Sequence, residues 1–167
     1  MQPQKAIDHI LLRLKNELSE NLYYHGHHHT KEVLGSVRII AESENVSGVP
    51  LDLLLVATAY HDCGFLIQYQ NHEEMSCQIA RKTLPQFGFK QDETDKICDM
   101  IMATKIPQKP CCAMAEMLCD ADLDYLGTDS FWDIGDTLYK ELRSIDAIGS
   151  RKDWDMVQLN FSLIGME

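Results

Sequence analysis

The sequence predicts an all-α protein, a single compact helical domain. Apolar residues recur at helical spacing along nearly the whole 167-residue chain, and no alternating strand pattern extends beyond a few residues. Glycine, proline and polar clusters separate the helical segments from one another. Because a chain of this length can bury a substantial core, we expect one domain over residues 1–167.

Three helices are predicted in the first third of the chain. The first is expected at about residues 7–18 and the second at about 33–41, each with one apolar face. The third segment, LDLLLVATAY at residues 51–60, is apolar nearly all round, which is typical of a central buried helix. Pro50 stands at its start, where the missing N–H costs little.

Shorter helices are predicted in the rest of the chain, near residues 72–84, 92–104, 112–119 and 130–143, with a last one from about Lys152. Gly88 is expected to stop one helix, and Asp92 to cap the N-terminus of the next. The IPQKP stretch at 106–110 and the Gly127-Thr128-Asp129 turn separate the later helices.

The charge balance is strongly acidic. Fifteen Lys and Arg stand against 26 Asp and Glu, for a formal net charge of −11. This argues against a nucleic-acid polymer or an anionic membrane as partner, since either would require a basic face. A small phosphorylated substrate is compatible with this charge, because a bound metal and one or two lysines can make the local electrostatic potential positive. Whether the chain forms a homodimer is left open.

The location is expected to be cytoplasmic. No stretch approaches the roughly 18 apolar residues of a membrane span, and no signal-peptide pattern precedes the first helix. The six cysteines show no C-x-x-C spacing, so they are interpreted as reduced thiols, most of them small core residues.

Histidines crowd one short run, YYHGHHHTKEV at residues 23–33, which places four of them in five positions. A purification-tag remnant would normally sit at a terminus and lead into a linker, whereas this run leads into the apolar pattern of the second helix. A high density of histidine does not by itself show what any one of these four residues does. Their functions depend on whether other metal-binding residues occur elsewhere in the chain.

Two further groups can bind metal. His61-Asp62 ends the third helix, and a regular helix would point two adjacent side chains about 100° apart, so they can share an ion only beside the helix end, where Gly64 lets the backbone turn away. The segment LCDADLDYLG places Asp120, Asp122 and Asp124 within an apolar frame. Buried carboxylates are costly unless they are paired or bind a cation. Solvent exposure is accepted for Asp124 and is less favoured for the other two.

The ordered set resembles the HD superfamily of metal-dependent phosphohydrolases. The matching residues are Tyr24-His25-x-x-x-His29-Thr30-x-x-Val33, then His61-Asp62, then Ala121-Asp122-Leu123, and the resemblance covers about residues 20–145. The family pattern H…HD…D implies an all-helical fold with four metal ligands: His29, His61, Asp62 and Asp122. Each element is weak by itself, because an HD dipeptide is common, but the order is specific.

Other residues receive roles by the same resemblance. His25 more often flanks the cleft in this pattern and is expected to touch substrate. His72 opens the next helix, where some relatives bind a second metal or the substrate phosphate. Lys105 is interpreted either as a cation at a helix C-terminus or as a phosphate ligand. We therefore predict catalytic roles for Asp62, His72 and Lys105, and substrate contacts for His25, His72 and Lys105.

Several neighbouring residues have simpler interpretations. His27 and His28 are expected to be exposed loop imidazoles. Glu73 and Glu74 are expected to complement the helix dipole, with a smaller chance of acid–base work. Cys63 is interpreted as structural, and Asp120 as a cap or as a partner that orients a ligand histidine.

The residue types of the four predicted ligands also suit a divalent cation. Two neutral imidazoles and two carboxylates balance a divalent cation and leave coordination positions for water or substrate. Such mixed ligands suit Mn, Fe, Co, Ni or Zn better than Ca, with Mg also considered and a second metal left open. The expected reaction is attack of metal-bound hydroxide on a phosphomonoester or phosphodiester of a nucleotide or cyclic nucleotide.

Three other interpretations stay open. A di-iron oxygenase of the same fold would need additional ligands, and Thr104 stands where some two-metal relatives have another histidine. A non-catalytic nucleotide-sensing module could keep the metal site as an anchor. A purely structural role would have His61-Asp62 and Asp122 make only hydrogen bonds and caps. The chain also ends at SLIGME, earlier than the similar proteins, so the last helix is either naturally short or truncated.

Overall fold

The protein is helical throughout the part of the chain that the structure describes. The structure is a computed structural model that describes the backbone of residues 1–164 and the side chains of residues 1–159. Within these bounds it contains eight α-helices, three short 3-10 helices and no β-strand. The predicted all-α class is therefore confirmed. Part of the SLIGME segment, residues 165–167, lies outside the described residues.

Two compact units make up the chain. The first consists of Met1–Ser19 and His25–Asp124, and the second of Glu20–Tyr24 and the chain from Tyr125 onward. The α-helices of the first unit are α1 (Pro3–Glu17), α2 (His27–Ser43), α3 (Gly48–Tyr60), α4 (His72–Thr83), α5 (Gln91–Ala103) and α6 (Ala113–Asp122). Its 3-10 helices include Cys63–Leu66 and Leu84–Phe87. The second unit contains α7 (Phe131–Ser144) and α8 (Arg151–Ile164).

The first unit is built around α3. This helix packs against α1, α2 and α5, and α6 packs against α2 and α5. Seven consecutive or nearly consecutive residues of α3 are buried because its sequence is apolar on every side. The prediction of a central buried helix is thus confirmed. The 3-10 helix Cys63–Leu66 continues directly from the end of α3 and packs against α4.

One apolar segment is longer than the sequence suggested. Gly48–Leu66 is long and apolar enough to cross a membrane by length and composition, with a mean hydropathy of 1.2 over its best window. That window is 67% buried inside the protein, which is the position of a core helix.

Two predictions about helix starts are wrong. Asp92 does not cap α5: the cap is Lys90, whose backbone N–H donates to Glu93 at 2.8 Å, and Asp92 lies in the first turn. The second helix begins at His27, earlier than the apolar stripe indicated, so His27 and His28 lie in its first turn and not in a loop. Polar residues in a first turn leave no apolar signal, which is why the stripe started late.

The second unit contains a buried acidic side chain. The fully buried Glu141 of α7 accepts a 2.8 Å hydrogen bond from the backbone N–H of Tyr24, the last residue of the short N-terminal segment of this unit. Trp154 of α8 is buried, and its ring packs near Tyr139 of α7 at a centroid distance of 6.2 Å. On the surface, Arg151 of α8 pairs with Asp136 at 2.6 Å.

Candidate metal centre

Three distant parts of the chain bring the four predicted ligands together in the first unit. His29 lies in the first turn of α2, and Asp122 is the last residue of α6. His61 is the C-terminal cap of α3, and Asp62 is the residue after it. His29, His61 and Asp62 are buried, and Asp122 is partly buried. Helix ends carry all four, so the backbone can turn away and leave space beside them.

The donor atoms lie close enough to share one cation. His29 Nε2 is 3.0 Å from Asp122 Oδ1 and 3.5 Å from Asp62 Oδ2. His61 Nε2 is 3.4 Å from Asp122 Oδ1 and 3.2 Å from Asp62 Oδ2. The ligand atoms of His29, His61 and Asp122 all lie within 4.8 Å of one another. Asp62 approaches both imidazoles and extends this group of three.

These spacings fit a divalent transition metal. Nitrogen and oxygen ligands bind zinc at about 2.0–2.2 Å, which separates adjacent ligand atoms by about 3.0 Å in octahedral and about 3.4 Å in tetrahedral geometry. The four measured separations, 3.0, 3.2, 3.4 and 3.5 Å, fall at these values. The shortest of them, between His29 Nε2 and Asp122 Oδ1, is also a hydrogen bond, so the other three separations carry the comparison with a metal site.

Two buried atoms of the cluster make no hydrogen bond. They are His61 Nε2 and Asp62 Oδ2. The two atoms lie 3.2 Å from each other but not in hydrogen-bonding geometry, and a buried polar atom that makes no hydrogen bond is costly. A cation between the imidazoles and carboxylates would satisfy both atoms at once. The residues present therefore fit a metal ion.

Electrostatics within the cluster oppose the effect of burial. Burial alone would lower the pKa of His61, but the facing carboxylates of Asp62 and Asp122 hold that pKa well above its ordinary value. Burial alone would raise the pKa of Asp62, but His61 and His72 hold it well below. The pKa of Asp122 is likewise lowered by His29 and His61 against the effect of burial. The opposite shifts of the imidazole and the carboxylates have one cause, the attraction between positive and negative charge inside the cluster.

The orientation of His61 is set by its other ring nitrogen. Nδ1 lies 2.7 Å from the backbone oxygen of Thr58, one turn earlier in α3. A carbonyl oxygen can only accept, so Nδ1 carries the hydrogen and donates it. The lone pair of the neutral ring is then on Nε2, which faces the carboxylates. Such a partner for the remote nitrogen is typical of metal-binding histidines.

Ser76 holds the turn that follows α3. Its Oγ donates to the backbone oxygen of His61 at 2.7 Å and accepts from the backbone N–H of Gly64 at 2.7 Å. Ser76 is fully buried on α4. The two hydrogen bonds therefore fix the backbone on either side of Asp62.

Gly64 permits α4 to approach this turn. A Cβ at Gly64 would overlap the backbone oxygen of His72. The glycine is therefore needed for a close approach between two backbones, and its φ is not in the left-handed region. The sequence suggested a glycine for turning, whereas the structure requires it for packing.

His72 lies beside the cluster, at the first position of α4. Its Nε2 is 3.4 Å from Asp62 Oδ1, the carboxylate oxygen that does not face the other imidazoles, and 3.6 Å from Glu73 Oε1. Its Nδ1 lies 3.3 Å from the backbone oxygen of Tyr69. Burial would lower the pKa of His72, but Asp62 and Glu73 raise it. Glu73 and Glu74 lie in the first turn of α4, as predicted, and Glu73 is buried.

His25 and Phe65 join His72 in a group of rings. The His25 ring lies 4.4 Å from the Phe65 ring at an interplanar angle of 27°, and 6.0 Å from the His29 ring. His25 is half-buried, and its ring distance from His29 places it beside the cluster. His28 is exposed, as expected, and His27 is half-buried.

Lys105 has its own partners. Its ammonium group donates to Glu74 Oε1 and, at 3.1 Å, to Asn71 Oδ1. It follows α5, whose C-terminal cap is Thr104, so the predicted position at a helix end is correct. A phosphate ligand at Lys105 would have to compete with the Glu74 carboxylate.

The two other acidic residues of the LCDADLDYLG segment are exposed. Asp120 is exposed, so the expectation that it lies toward the core is wrong: it falls on the solvent side of α6. Asp124 is exposed, as expected, and accepts a 2.8 Å hydrogen bond from Ser36.

The cysteines behave as predicted. All six are free thiols; Cys63, Cys77, Cys98 and Cys119 are buried, while Cys111 and Cys112 are exposed. Burial raises the pKa of Cys63, and its Sγ lies 3.9 Å from the backbone oxygen of Ser76. The buried thiol of Cys63, next to His61-Asp62 in the chain, is therefore interpreted as structural.

Comparison with known proteins adds no assignment to this geometry. No family model, curated protein or solved structure matches the chain.

Sequence reasoning missed three residues that shape the site: Thr58, Phe65 and Ser76. Thr58 acts through its backbone oxygen, and Ser76 contacts His61 and Gly64, 15 and 12 residues away, so neither residue gave a local signal. Phe65 gave none, since an apolar residue in a loop is ordinary.

Proposed function

We propose that this chain is a metal-dependent phosphohydrolase of the HD type, acting on a small phosphate ester such as a nucleotide or cyclic nucleotide. The observation that supports this most is the convergence of two imidazole nitrogens and two carboxylate oxygens, separated by 3.0–3.5 Å, from three distant segments. The resemblance of the ordered motif to that superfamily supplies the reaction class.

His29, His61, Asp62 and Asp122 would hold the metal. A divalent cation there would lower the pKa of a water molecule toward neutrality and polarise a phosphoryl oxygen. Other residues of the chain orient these ligands. Thr58 keeps His61 Nε2 toward the site, and Ser76 keeps the His61-Asp62 backbone in place. Both effects reduce the reorganisation that binding would otherwise require.

His72 and His25 would receive the substrate phosphate. The Asp62 carboxylate and Glu73 favour the protonated form of His72, which can donate to a phosphate oxygen. Lys105 would add positive charge if phosphate displaced Glu74. In a chain of net charge −11, such local positive groups are what would make an anionic substrate acceptable.

The test is turnover of phosphomonoesters and phosphodiesters, nucleotides included, with Mn, Co, Ni, Mg and Zn supplied in turn. His61→Ala removes one ligand and should abolish both activity and metal uptake, whereas Asp124→Asn, a matched exposed carboxylate, should change neither. Inactivity of a fully metallated wild-type protein on the whole panel would refute the proposal. Unchanged metal content in the His61 variant would instead favour a purely structural role.

A second candidate, a di-iron oxygenase, is favoured by one contact. His72 Nε2 faces the Asp62 oxygen opposite the one that faces His61, so Asp62 could serve two ions. Thr104 offers no imidazole at the further position that such a centre would use. Elemental analysis decides: about two irons per chain with an optical band in air would favour this candidate.

A further inference from the structure

The ring of Phe65 is in contact with both histidines to which substrate binding was assigned. Its centroid lies 4.0 Å from that of His72, at an interplanar angle of 20°, and 4.4 Å from that of His25, at 27°. The two imidazoles are 6.0 Å apart. Tyr69 meets Phe65 edge-on at 5.1 Å and an interplanar angle of 70°. One phenyl ring thus supports both imidazoles.

The position of Phe65 is determined by the backbone turn that follows His61-Asp62. It lies in the 3-10 helix Cys63–Leu66, and its backbone N–H donates to the backbone oxygen of Asp62 at 3.1 Å. Ser76 pins the neighbouring Gly64 from the other side. Only 8% of Phe65 is exposed, so the ring has little freedom to rotate away.

The polar contacts of His72 are all long. Its Nδ1 lies 3.3 Å from the Tyr69 oxygen, its Nε2 lies 3.4 Å from Asp62 Oδ1 and 3.6 Å from Glu73 Oε1, and its side chain is 19% exposed. Near-parallel aromatic contact supplies the missing restraint, since such pairs contribute beyond the area that they bury. Without the phenyl ring, the imidazole of His72 could leave Asp62 and turn toward solvent.

We propose that Phe65 is a positioning residue, which holds the imidazoles of His25 and His72 in the arrangement that binds the phosphate of the substrate. This rests on the proposed function, because it takes these two histidines as the phosphate contacts. The residue acts through them and touches neither substrate nor metal. The chemical class it serves is a phosphate or phosphate ester at the metal site.

The first readout needs neither metal nor substrate. In the metal-free protein, Phe65→Leu should change the side-chain rotamers of His25 and His72, measured by NMR couplings and nuclear Overhauser effects, because the resonances themselves would move with the lost ring current alone. The rotamers of His27 and His28 should not change, and Phe65→Tyr, which keeps the ring, should keep those of His25 and His72. Phe89→Leu is the matched control, because Phe89 is a buried core residue at 4% exposure. It should leave both rotamers unchanged.

The second readout is the affinity for inorganic phosphate of the metal-loaded protein, measured by calorimetry. Phe65→Leu should weaken it by about tenfold, as expected when a hydrogen bond to a charged group is lost. Phe65→Tyr and Phe89→Leu should bind phosphate like the wild type. Metal content should be equal in all variants.

A double-mutant cycle separates positioning from general destabilisation. In a protein that carries both His25→Ala and His72→Ala, adding Phe65→Leu should not weaken phosphate binding further. A further loss in that background, wild-type affinity in Phe65→Leu alone, or no phosphate binding by the metal-loaded wild type would overturn the inference. Phosphate binding that depends on Phe65 without turnover of any ester would refute only the hydrolase.

Discussion

Replacing Ser76 by Ala tests how the backbone turn at the candidate metal centre is held. The change removes two hydrogen bonds of 2.7 Å, one to the His61 carbonyl and one from the Gly64 N–H, at a fully buried position. The alanine fills nearly the same space, so the cost comes from the backbone groups left without partners.

The magnitude follows from those two groups. A buried donor or acceptor that loses its partner costs about 1–3 kcal/mol, so the variant should lose about 2–4 kcal/mol of unfolding free energy if some water enters. Ser36→Ala is the control, because its single hydrogen bond, to Asp124 at 2.8 Å, is exposed. It should cost about 0.5 kcal/mol or less, as for most surface changes.

The assay is urea denaturation of the metal-free protein, followed by titration with zinc. We expect a lower midpoint with an unchanged slope, and an affinity for zinc that falls about 10- to 100-fold, as for other residues that orient ligands. Equal stability of the Ser76 and Ser36 variants would refute the reasoning about the turn. A Ser76 variant that is less stable but binds zinc normally would show that the turn does not orient the ligands.

Three further predictions concern the same region. Gly64→Ala should destabilise the protein by about 1–3 kcal/mol or more in thermal melts, because its Cβ meets the backbone of α4, while Gly35→Ala, which meets nothing within 4 Å, should be neutral or slightly stabilising. Asp122→Asn should reduce the affinity for zinc by more than the about 10- to 100-fold that is lost when a residue that only orients a ligand is replaced. Asp124→Asn should leave the affinity unchanged. If the two variants bind zinc equally well, Asp122 is not a ligand. The metal-free protein should lose stability as pH rises above about 6.5, because burial lowers the pKa of His61 less than the facing carboxylates raise it, so its protonated form stabilises the fold below that pH and is lost through the raised pKa. Zinc should abolish this pH dependence in chemical denaturation, and a flat profile without metal would contradict it.

The helices could be predicted because their signal is local. The apolar stripe of α1 and the all-apolar α3 follow from which side chains can be buried, and this depends on residues three or four positions apart. The polar first turn of α2 carries no such signal, so its start was placed too late. Asp92 was a reasonable cap by residue type, but Lys90 and Glu93 close that end through backbone geometry that the sequence does not display.

The candidate metal ligands could be predicted from the sequence, but the residues that hold them in position could not. His61-Asp62 and Asp122 stood out because ionisable side chains in apolar segments need a partner. Asp120 had the same apolar neighbours, yet it is exposed, because only its exact angle on α6 decides which way it faces. Phe65 could not be distinguished from any other apolar loop residue until its ring was seen against two imidazoles.

By itself the sequence determined the helical class, the buried central helix and the residue types able to bind a divalent cation, since each depends on composition and short-range periodicity. Only the tertiary structure decided that His29, 32 residues before His61 in the chain, brings Nε2 to within 3.5 Å of Asp62 and 3.0 Å of Asp122. It also decided that Thr58, Phe65 and Ser76 hold the surrounding groups in place. Distances between atoms far apart in the chain depend on how helices pack, and packing is a property of the whole core.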